Sequence, residues 1–326
     1  LLEKNRPLDI PANQGQAYYV KCHIPAGTAS GIYQGNISVS QSGRPALTIP
    51  LSVRVLNLPL VRDTGRIVGV YYGAPDQFSI LQNCGFNSVL QGFQNCMRGI
   101  LKPLKTIAAQ EQDVTKRLEM LYAGQDLPQL NYAEAHPQGF DNFVKAYQAA
   151  GFKRLVVWFV ARGFTDEIAR FLNLPLSTAR VPDIYPASIT PEYGQLFKDI
   201  IRAIDRQAAK SGLETYYYQF DELGVHPDAV VFKYAVEMFK LVKEAGAKTL
   251  VTCTDDEFLP MVHPWLDTRQ YAQSSAGTRA ALAKIYASTK AEGREFFSYS
   301  GCVYEQHHLN RYNAGAIFAC IGVPFG

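Results

Sequence analysis

From about residue 63 onward the chain repeats one pattern, a short apolar run followed by a helical stretch that stops on glycine. No other feature of the sequence restricts the fold as much. Ile67–Tyr72, Asn87–Gln91, Arg154–Val160, Thr215–Phe220, Lys248–Thr252, Arg269–Gln273 and Glu295–Tyr299 are strand-length runs rich in β-branched and aromatic residues. Helices are predicted over Phe78–Asn83, Pro137–Ala150, Asp228–Ala245 and Ala276–Glu292, with Gly85, Gly151, Gly246 and Gly293 as their stops. A further helix opens on Thr190-Pro191-Glu192 and ends at Ser211-Gly212. Glycine suits such ends because the residue after a helix commonly turns left-handed. Strands alternating with helices form parallel sheets, since each helix carries the chain back to start the next strand in the same direction. Seven such units, followed by a helical Arg311–Ile321, predict an α/β fold: a (β/α)8 TIM-type barrel over 63–326, cut before its eighth strand. An open seven-stranded sheet is the alternative.

Residues 1–62 read differently. Ala17–Val20, Gly35–Ser40 and Leu47–Leu56 are β-rich and separated by Gly, Pro, Asn and Ser. In the last of them Leu47, Ile49, Leu51, Val53 and Val55 alternate with Thr48, Ser52 and Arg54, so one face is apolar and the other polar. Three strands are too few to close a sandwich, and part of a β-sandwich domain is expected here. Gln94–Ala135 interrupts the β/α rhythm with Lys102-Pro103, a predicted helix at Asp113–Tyr122 and a short Leu127–Tyr132 run. It reads as an insertion lying over the site face of the barrel, unless Leu127–Tyr132 is itself a strand.

Several function classes are excluded early. The 32 basic and 29 acidic residues leave a net charge of only +3, with no basic stripe to meet a nucleic acid backbone. No apolar run reaches the length of a membrane span. Cys22, Cys84, Cys96, Cys253, Cys302 and Cys320 are scattered without ligand spacing, so no metal site is expected and they read as isolated buried thiols. Glycine-rich phosphate loops and a GxSxG elbow are absent, and no cofactor is expected.

The chemistry concentrates at the end of the fourth strand of the repeat, where Phe220 is followed by Asp221-Glu222-Leu223-Gly224. In a β/α barrel the catalytic groups stand at the C-terminal strand ends. Successive strand residues face opposite sides, so the two acids can meet one ligand only if the backbone leaves strand geometry, which Gly224 allows. Aromatic surroundings and the neighbouring carboxylate would raise the pKa of Glu222, giving a protonated acid beside an ionised one, as glycoside cleavage requires. The simpler reading makes either residue a helix cap near Asp228 or a lysine's partner.

Aromatic side chains at other strand ends, Tyr72, Trp158, Tyr271 and Tyr299, are candidates for a sugar platform. Gln91 is a candidate for hydroxyl recognition, and Asp255, first of Asp255-Asp256-Glu257, for a second acid at the site. Glu305, beyond the last strand, is where a two-carboxylate retaining mechanism would keep its nucleophile. His307-His308 lack metal-ligand spacing.

Asn13-Gln14-Gly15-Gln16-Ala17-Tyr18-Tyr19-Val20, Ile24-Pro25, Gly31-Ile32-Tyr33-Gln34-Gly35-Asn36-Ile37, Leu58-Pro59, Gly85-Phe86-Asn87, Phe220-Asp221-Glu222 and Phe297-Ser298-Tyr299 together resemble proteins similar to glycoside hydrolase family 123. The resemblance implies a sandwich preceding a barrel and a β-N-acetylgalactosaminidase-like activity on an N-acetylated hexosamine. It also implies substrate-assisted retaining hydrolysis, with Glu222 as general acid/base and Asp221 orienting the acetamido group. Many relatives carry proline after the acidic pair, where this chain has Leu223. A glycan or glycoconjugate substrate and an extracellular, periplasmic or cell-surface setting are implied by the same likeness. The rival expectation is a carbohydrate-binding or surface scaffold protein that uses the same barrel mouth without cleavage.

Overall fold

The computed structural model describes residues 9–18, 20, 22–58, 69–71, 73–83, 85–158, 164–176, 187–218, 229–252, 263–265, 267–272 and 279–299. The chain divides into two units, Leu1–Arg62 and Asp63–Gly326.

In the first unit β1 (Gly31–Val39) and β2 (Leu47–Val55) form an antiparallel pair in which Tyr33 faces Val53, Ile37 faces Ile49 and Val39 faces Leu47. Paired residues share a face, so the alternation seen in the sequence gathers the apolar side chains on one side of the ladder. Ala17, Tyr18 and Val20 lie in no strand, contrary to expectation, and among the described residues this unit contains two strands and no second sheet. Among the described residues, Ala17, Tyr18 and Val20 have no ladder partner.

The second unit is α/β. Seven strands, β3 (Gly69–Tyr71), β4 (Ser88–Gly92), β5 (Arg154–Trp158), β6 (Glu214–Tyr218), β7 (Lys248–Thr252), β8 (Thr268–Ala272) and β9 (Glu295–Tyr299), make one sheet. All neighbours are parallel and the spatial order is the sequence order. A doubly wound sheet reverses direction at a switch point, and this one does not. The described helices are α1 (Phe78–Asn83), α2 (Phe93–Cys96), α3 (Lys102–Gln110), α4 (Val114–Tyr122), α5 (Phe140–Ala149), α6 (Thr165–Phe171), α7 (Pro191–Lys210), α8 (Ala229–Glu244) and α9 (Arg279–Ala291).

Helix α7 illustrates how the sequence builds these elements. Thr190 caps it by accepting from the Tyr193 backbone N–H at 3.2 Å, and Pro191 occupies the first turn, where a missing N–H costs nothing. Tyr193, Leu196, Phe197, Ile200, Ile201, Ile204 and Ala208 form its buried stripe. Removing each large apolar side chain from water contributes about 1.5–3 kcal/mol. The chain leaves the helix through Gly212 at φ +64°, directly before β6.

Helix α5 starts at Phe140, three residues later than expected. Gly139 serves as its N-cap, and a Cβ there would lie 2.5 Å from the Glu134 carbonyl oxygen, so the chain must turn at a glycine before the helix begins. The phenol of Tyr147 on α5 reaches the sheet. It accepts from the Val89 backbone N–H at 2.8 Å and donates to the Arg154 carbonyl at 2.5 Å, bridging β4 and β5. Phe78 packs edge-on against both Phe143 and Tyr147 at 5.4 Å between ring centres, which seats α1 and α5 on the same part of the sheet.

The insertion is helical where Pro103 suggested a break, because Pro103 stands in the first turn of α3. Leu127–Tyr132 is not a strand; its backbone bonds to neighbouring loops and helices, with Gln129 N–H donating to Leu121 and Asn131 N–H to Ile100. Among the described residues, the side chains of the insertion bond to the helical layer. Tyr122 donates to Asp199 at 2.8 Å, Tyr132 to the Ala203 carbonyl at 3.0 Å, and Arg206 to Asp126 at 2.9 Å, all on α7. Lys105 pairs with Glu167 on α6 at 2.9 Å. Arg117, buried on α4, donates to the carbonyls of Glu111 (2.6 Å) and Phe171 (2.7 Å) and to Asn173 Oδ1 (2.9 Å).

Candidate functional site

Strand alternation sorts the sheet residues into two sets. Val89, Leu155, Val157 and Tyr217 belong to the large core that contains Phe143, Phe197, Ile200 and other helix residues, so this set faces the helices. Leu90, Tyr216, Tyr218 and Leu250 form a separate cluster made of strand residues alone, on the other face. Register extends that face to Arg154, Val156 and Trp158 of β5, Glu214 of β6, Lys248 of β7, Thr268 of β8, and Glu295 and Tyr299 of β9.

Ion pairs on this inner face report how the sheet is shaped. Arg154 Nε lies 2.5 Å from Glu214 Oε2, and Lys248 bonds Glu214 Oε1. Arg154 also reaches Glu295 Oε2 at 3.3 Å, and the Tyr216 phenol donates to that same oxygen at 2.9 Å. The Arg154 guanidinium and the Lys248 ammonium both stand over the Tyr216 ring, at 5.7 and 5.2 Å. β5 and β9 are four places apart in the ladder, which in a flat sheet is roughly 19 Å. Side chains stand perpendicular to a sheet and cannot span that gap in its plane. The sheet is therefore rolled about its inner face, and β5 and β9 confront each other across it. Two cations balance two carboxylates, and side-chain exposures of 33% to 44% leave the group in touch with water, so its desolvation cost stays below that of a dry interior pair.

Burial works against ionisation of Glu214, but Lys248 and Arg154 outweigh it and hold its carboxyl below the usual range. A lowered folded value means stability that is present above the unfolded pKa, about 4.3, and is lost as pH falls through the folded one. Glu214→Gln is expected to be less stable than the parent in urea at about pH 7, with the gap narrowing as the pH falls below the unfolded value of about 4.3. A gap that stays constant contradicts this. Asp205 on α7 runs the other way: burial raises its pKa, against hydrogen bonds from Thr215 (2.5 Å) and Tyr217. Its contribution is greatest in acid and is lost as pH rises through the folded value.

At the opposite, C-terminal end of the sheet stand the residues singled out from the sequence. Trp158 and Tyr299 close β5 and β9 in the inner register set, and Tyr218, fully buried, closes β6 between them in ladder order. Gln91 and Tyr271 are different. Gln91 pairs in register with Val157 and is 1% exposed, and its side-chain amide is spent on the Gly73 carbonyl, so it latches β4 to the chain leaving β3 and is not free for a sugar hydroxyl. Tyr271 pairs with Ser298, in the register set opposite to Trp158 and Tyr299. A strand end by itself does not say which face its last residue takes. Asp221, Glu222, Tyr72, Asp255, Glu305, His307 and His308 lie outside the described residues.

The inner charged group was missed by sequence reasoning. Its signal was present: Arg154, Glu214, Lys248 and Glu295 are each the first residue of a strand, with alternating sign along the chain. Among the described residues no three His, Cys, Asp or Glu side chains gather as metal ligands. Cys96 is buried and burial pushes its thiol well up, which keeps it unreactive, whereas Cys22 is exposed. No described helix is long and apolar enough to cross a membrane.

No family model matches the sequence, and no curated protein does. Solved structures resemble it weakly. The YdhT protein from Bacillus subtilis gives a TM-score of 0.40 at 8% identity, covering 81% of this chain and 80% of that one. A Rhizomucor miehei β-1,3-glucanosyltransferase gives 0.38 at 10% identity over 79% and 85%. A mandelate racemase/muconate lactonizing enzyme-like protein from Rubrobacter xylanophilus gives 0.35 at 12% identity over 80% of this chain. The chain spans about half of that last protein's length, 51%, and 47% of a Mesorhizobium loti chain it also matches. At such scores and identities none of them assigns an activity.

Proposed function

We propose that this chain is a glycoside hydrolase acting on an N-acetylated hexosamine, with its site at the C-terminal mouth of a (β/α)8 barrel preceded by part of a β-sandwich. One observation carries the reading: β6 is the central strand of a rolled sheet wound in sequence order, and Asp221-Glu222 follows its last residue, Tyr218, by three and four positions. In sheets wound this way ligands meet the carboxyl ends of the strands. Resemblance to glycoside hydrolase family 123 supplies the chemistry. Glu222 protonates the departing oxygen and later deprotonates water, while Asp221 orients the acetamido group whose carbonyl oxygen attacks the anomeric carbon. The resulting ring is opened by water with overall retention, and no protein nucleophile is needed. Trp158, Tyr299 and Tyr72 are the platform candidates in this reading, and Asp255 the further polar one. Gln91 drops out, buried and bonded to the Gly73 carbonyl, and Tyr271 stays a candidate from the sequence.

The test is a pair of chromogenic β-hexosaminides differing only at carbon 2. The 2-acetamido compound is expected to be hydrolysed and its 2-hydroxy counterpart at least about a hundredfold more slowly, because only the first carries the internal nucleophile. Equal turnover of both would move the nucleophile to a protein carboxylate such as Glu305. Binding of the N-acetylated sugar without turnover would instead establish the non-catalytic carbohydrate-binding alternative.

A further inference from the structure

The turn between α2 and α3 and the loop entering α5 bring together two side chains that the sequence did not single out, Arg98 and His136. Backbone bonds pin both loops. The Arg98 N–H donates to the Gln138 carbonyl at 3.0 Å, and the His136 carbonyl accepts from the Gly139 N–H at 2.8 Å and from the Asn142 amide at 3.2 Å. The tautomer of the His136 ring is fixed as well: Nδ1 accepts the Gln138 backbone N–H at 3.1 Å, so the ring proton sits on Nε2. Arg98 Nη1 lies 3.4 Å from that Nε2. A guanidinium has donors only, so these two nitrogens cannot bond each other and stand side by side as a pair of donors.

We propose that Arg98 and His136 form a binding site for one carboxylate, with one oxygen accepting from Arg98 Nη1 and the other from His136 Nε2. Two parallel bonds from fixed donors, one of them charged, suit the planar fork of that group. Among the described residues no carboxylate pairs with Arg98, and the neighbouring Glu134 is spent elsewhere, its Oε2 accepting from Lys102 at 3.4 Å and from Asn131 at 3.0 Å. Lys102 offsets Glu134, which leaves the single charge of Arg98 to be matched by a monoanion. A phosphate dianion would bring excess negative charge beside Glu134. Arg98 is exposed and His136 half-buried, so a ligand reaches the donors from solvent. The carboxylate can belong to a free acid or to a uronic acid, and the site does not depend on the glycosidase reading.

Nitrogen-15 NMR of the histidine side chains in the full chain tests this at about pH 7.5, above the ordinary histidine value of about 6.5. His136 is expected to show the Nε2–H tautomer before any ligand is added. Its signals are expected to shift saturably with acetate and with glucuronate, and not with glucose or with chloride at equal ionic strength. Glucuronate binding at least about fivefold tighter than acetate identifies a sugar acid as the source of the carboxylate, and a smaller difference identifies the free acid. Arg98→Gln is expected to weaken binding at least about tenfold, because the charge-assisted bond is lost. Lys116→Gln, which removes an exposed charge on α4, is expected to leave binding unchanged. An Nδ1–H tautomer, no saturable shift, an equal response to chloride, phosphate bound more tightly than acetate, or equal losses in the two variants overturns the site. If Arg98→Gln does not fold, the tautomer and the ligand series in the parent decide alone.

Discussion

Glu222→Gln is expected to lower kcat on an activated 2-acetamido hexoside by about 10²- to 10⁴-fold, the range over which a positioned general acid/base contributes. Glutamine keeps the size and hydrogen-bonding capacity of the side chain but can neither give nor take the proton, so substrate affinity should change little. The loss should be smaller for substrates with very acidic leaving groups, which depart without protonation, and exogenous azide should restore part of the turnover because it needs no general base. Asp221→Asn is expected to slow the ring-forming step as well, without responding to azide. Both follow from the division of labour between a proton donor and an acetamido-orienting acid. A scaffold function predicts no effect of either change on turnover, because there is none to lose. The readout is initial rates with two leaving groups of different acidity.

The largest stability effect away from the mouth is expected at Arg117. Arg117 is 3% exposed, and its guanidinium donates to two carbonyls and an amide oxygen that close the end of α6 and the approach to α4. Asn173, one of these acceptors, sits at φ +55°, where the chain leaves α6, and the carbonyl end of a helix favours a cation. Arg117→Met fills much of the volume but strands the Glu111 and Phe171 carbonyls, at about 1–3 kcal/mol each. A loss of about 2–4 kcal/mol in denaturant unfolding is expected after allowing for the desolvation that methionine avoids. Lysine should not rescue it, since a single ammonium cannot reproduce a fork that serves three acceptors. Full stability in Arg117→Lys would mean that charge, and not geometry, matters at this position.

The role of Arg117 falls where the sequence was least informative, and the reason is physical. Local patterns were legible: β7 and β9 span the expected residues, and the glycine stops after α5, α7, α8 and α9 close helices as expected. Helix α6 carries no stripe to read, because Thr165, Asp166, Ile168, Ala169 and Phe171 are all buried, so polar and apolar positions do not alternate with solvent. α3 was hidden behind Pro103, which is permitted in a first turn and forbidden only later. The strand propensity of Ala17, Tyr18 and Val20 could not reveal that no ladder among the described residues receives them. Gln91 reads as an available amide until register shows the face it takes, and the meeting of Arg154 with Glu295, 141 residues apart, depends on a curvature that no short window contains. The acidic pair stood out because adjacent carboxylates after a strand are a local signal, whereas the groups that hold the sheet rolled are not.

The most direct test of the glycosidase reading is a crystal structure with a bound thiazoline analogue of the cyclised N-acetylhexosamine intermediate. The account predicts the sugar ring at the C-terminal end of β6, the Asp221 carboxylate within about 3 Å of the thiazoline nitrogen and Glu222 beside the anomeric carbon on the leaving-group face. An analogue bound elsewhere, or Asp221 and Glu222 turned away from it into ion pairs with Glu305 against the anomeric carbon, would contradict it.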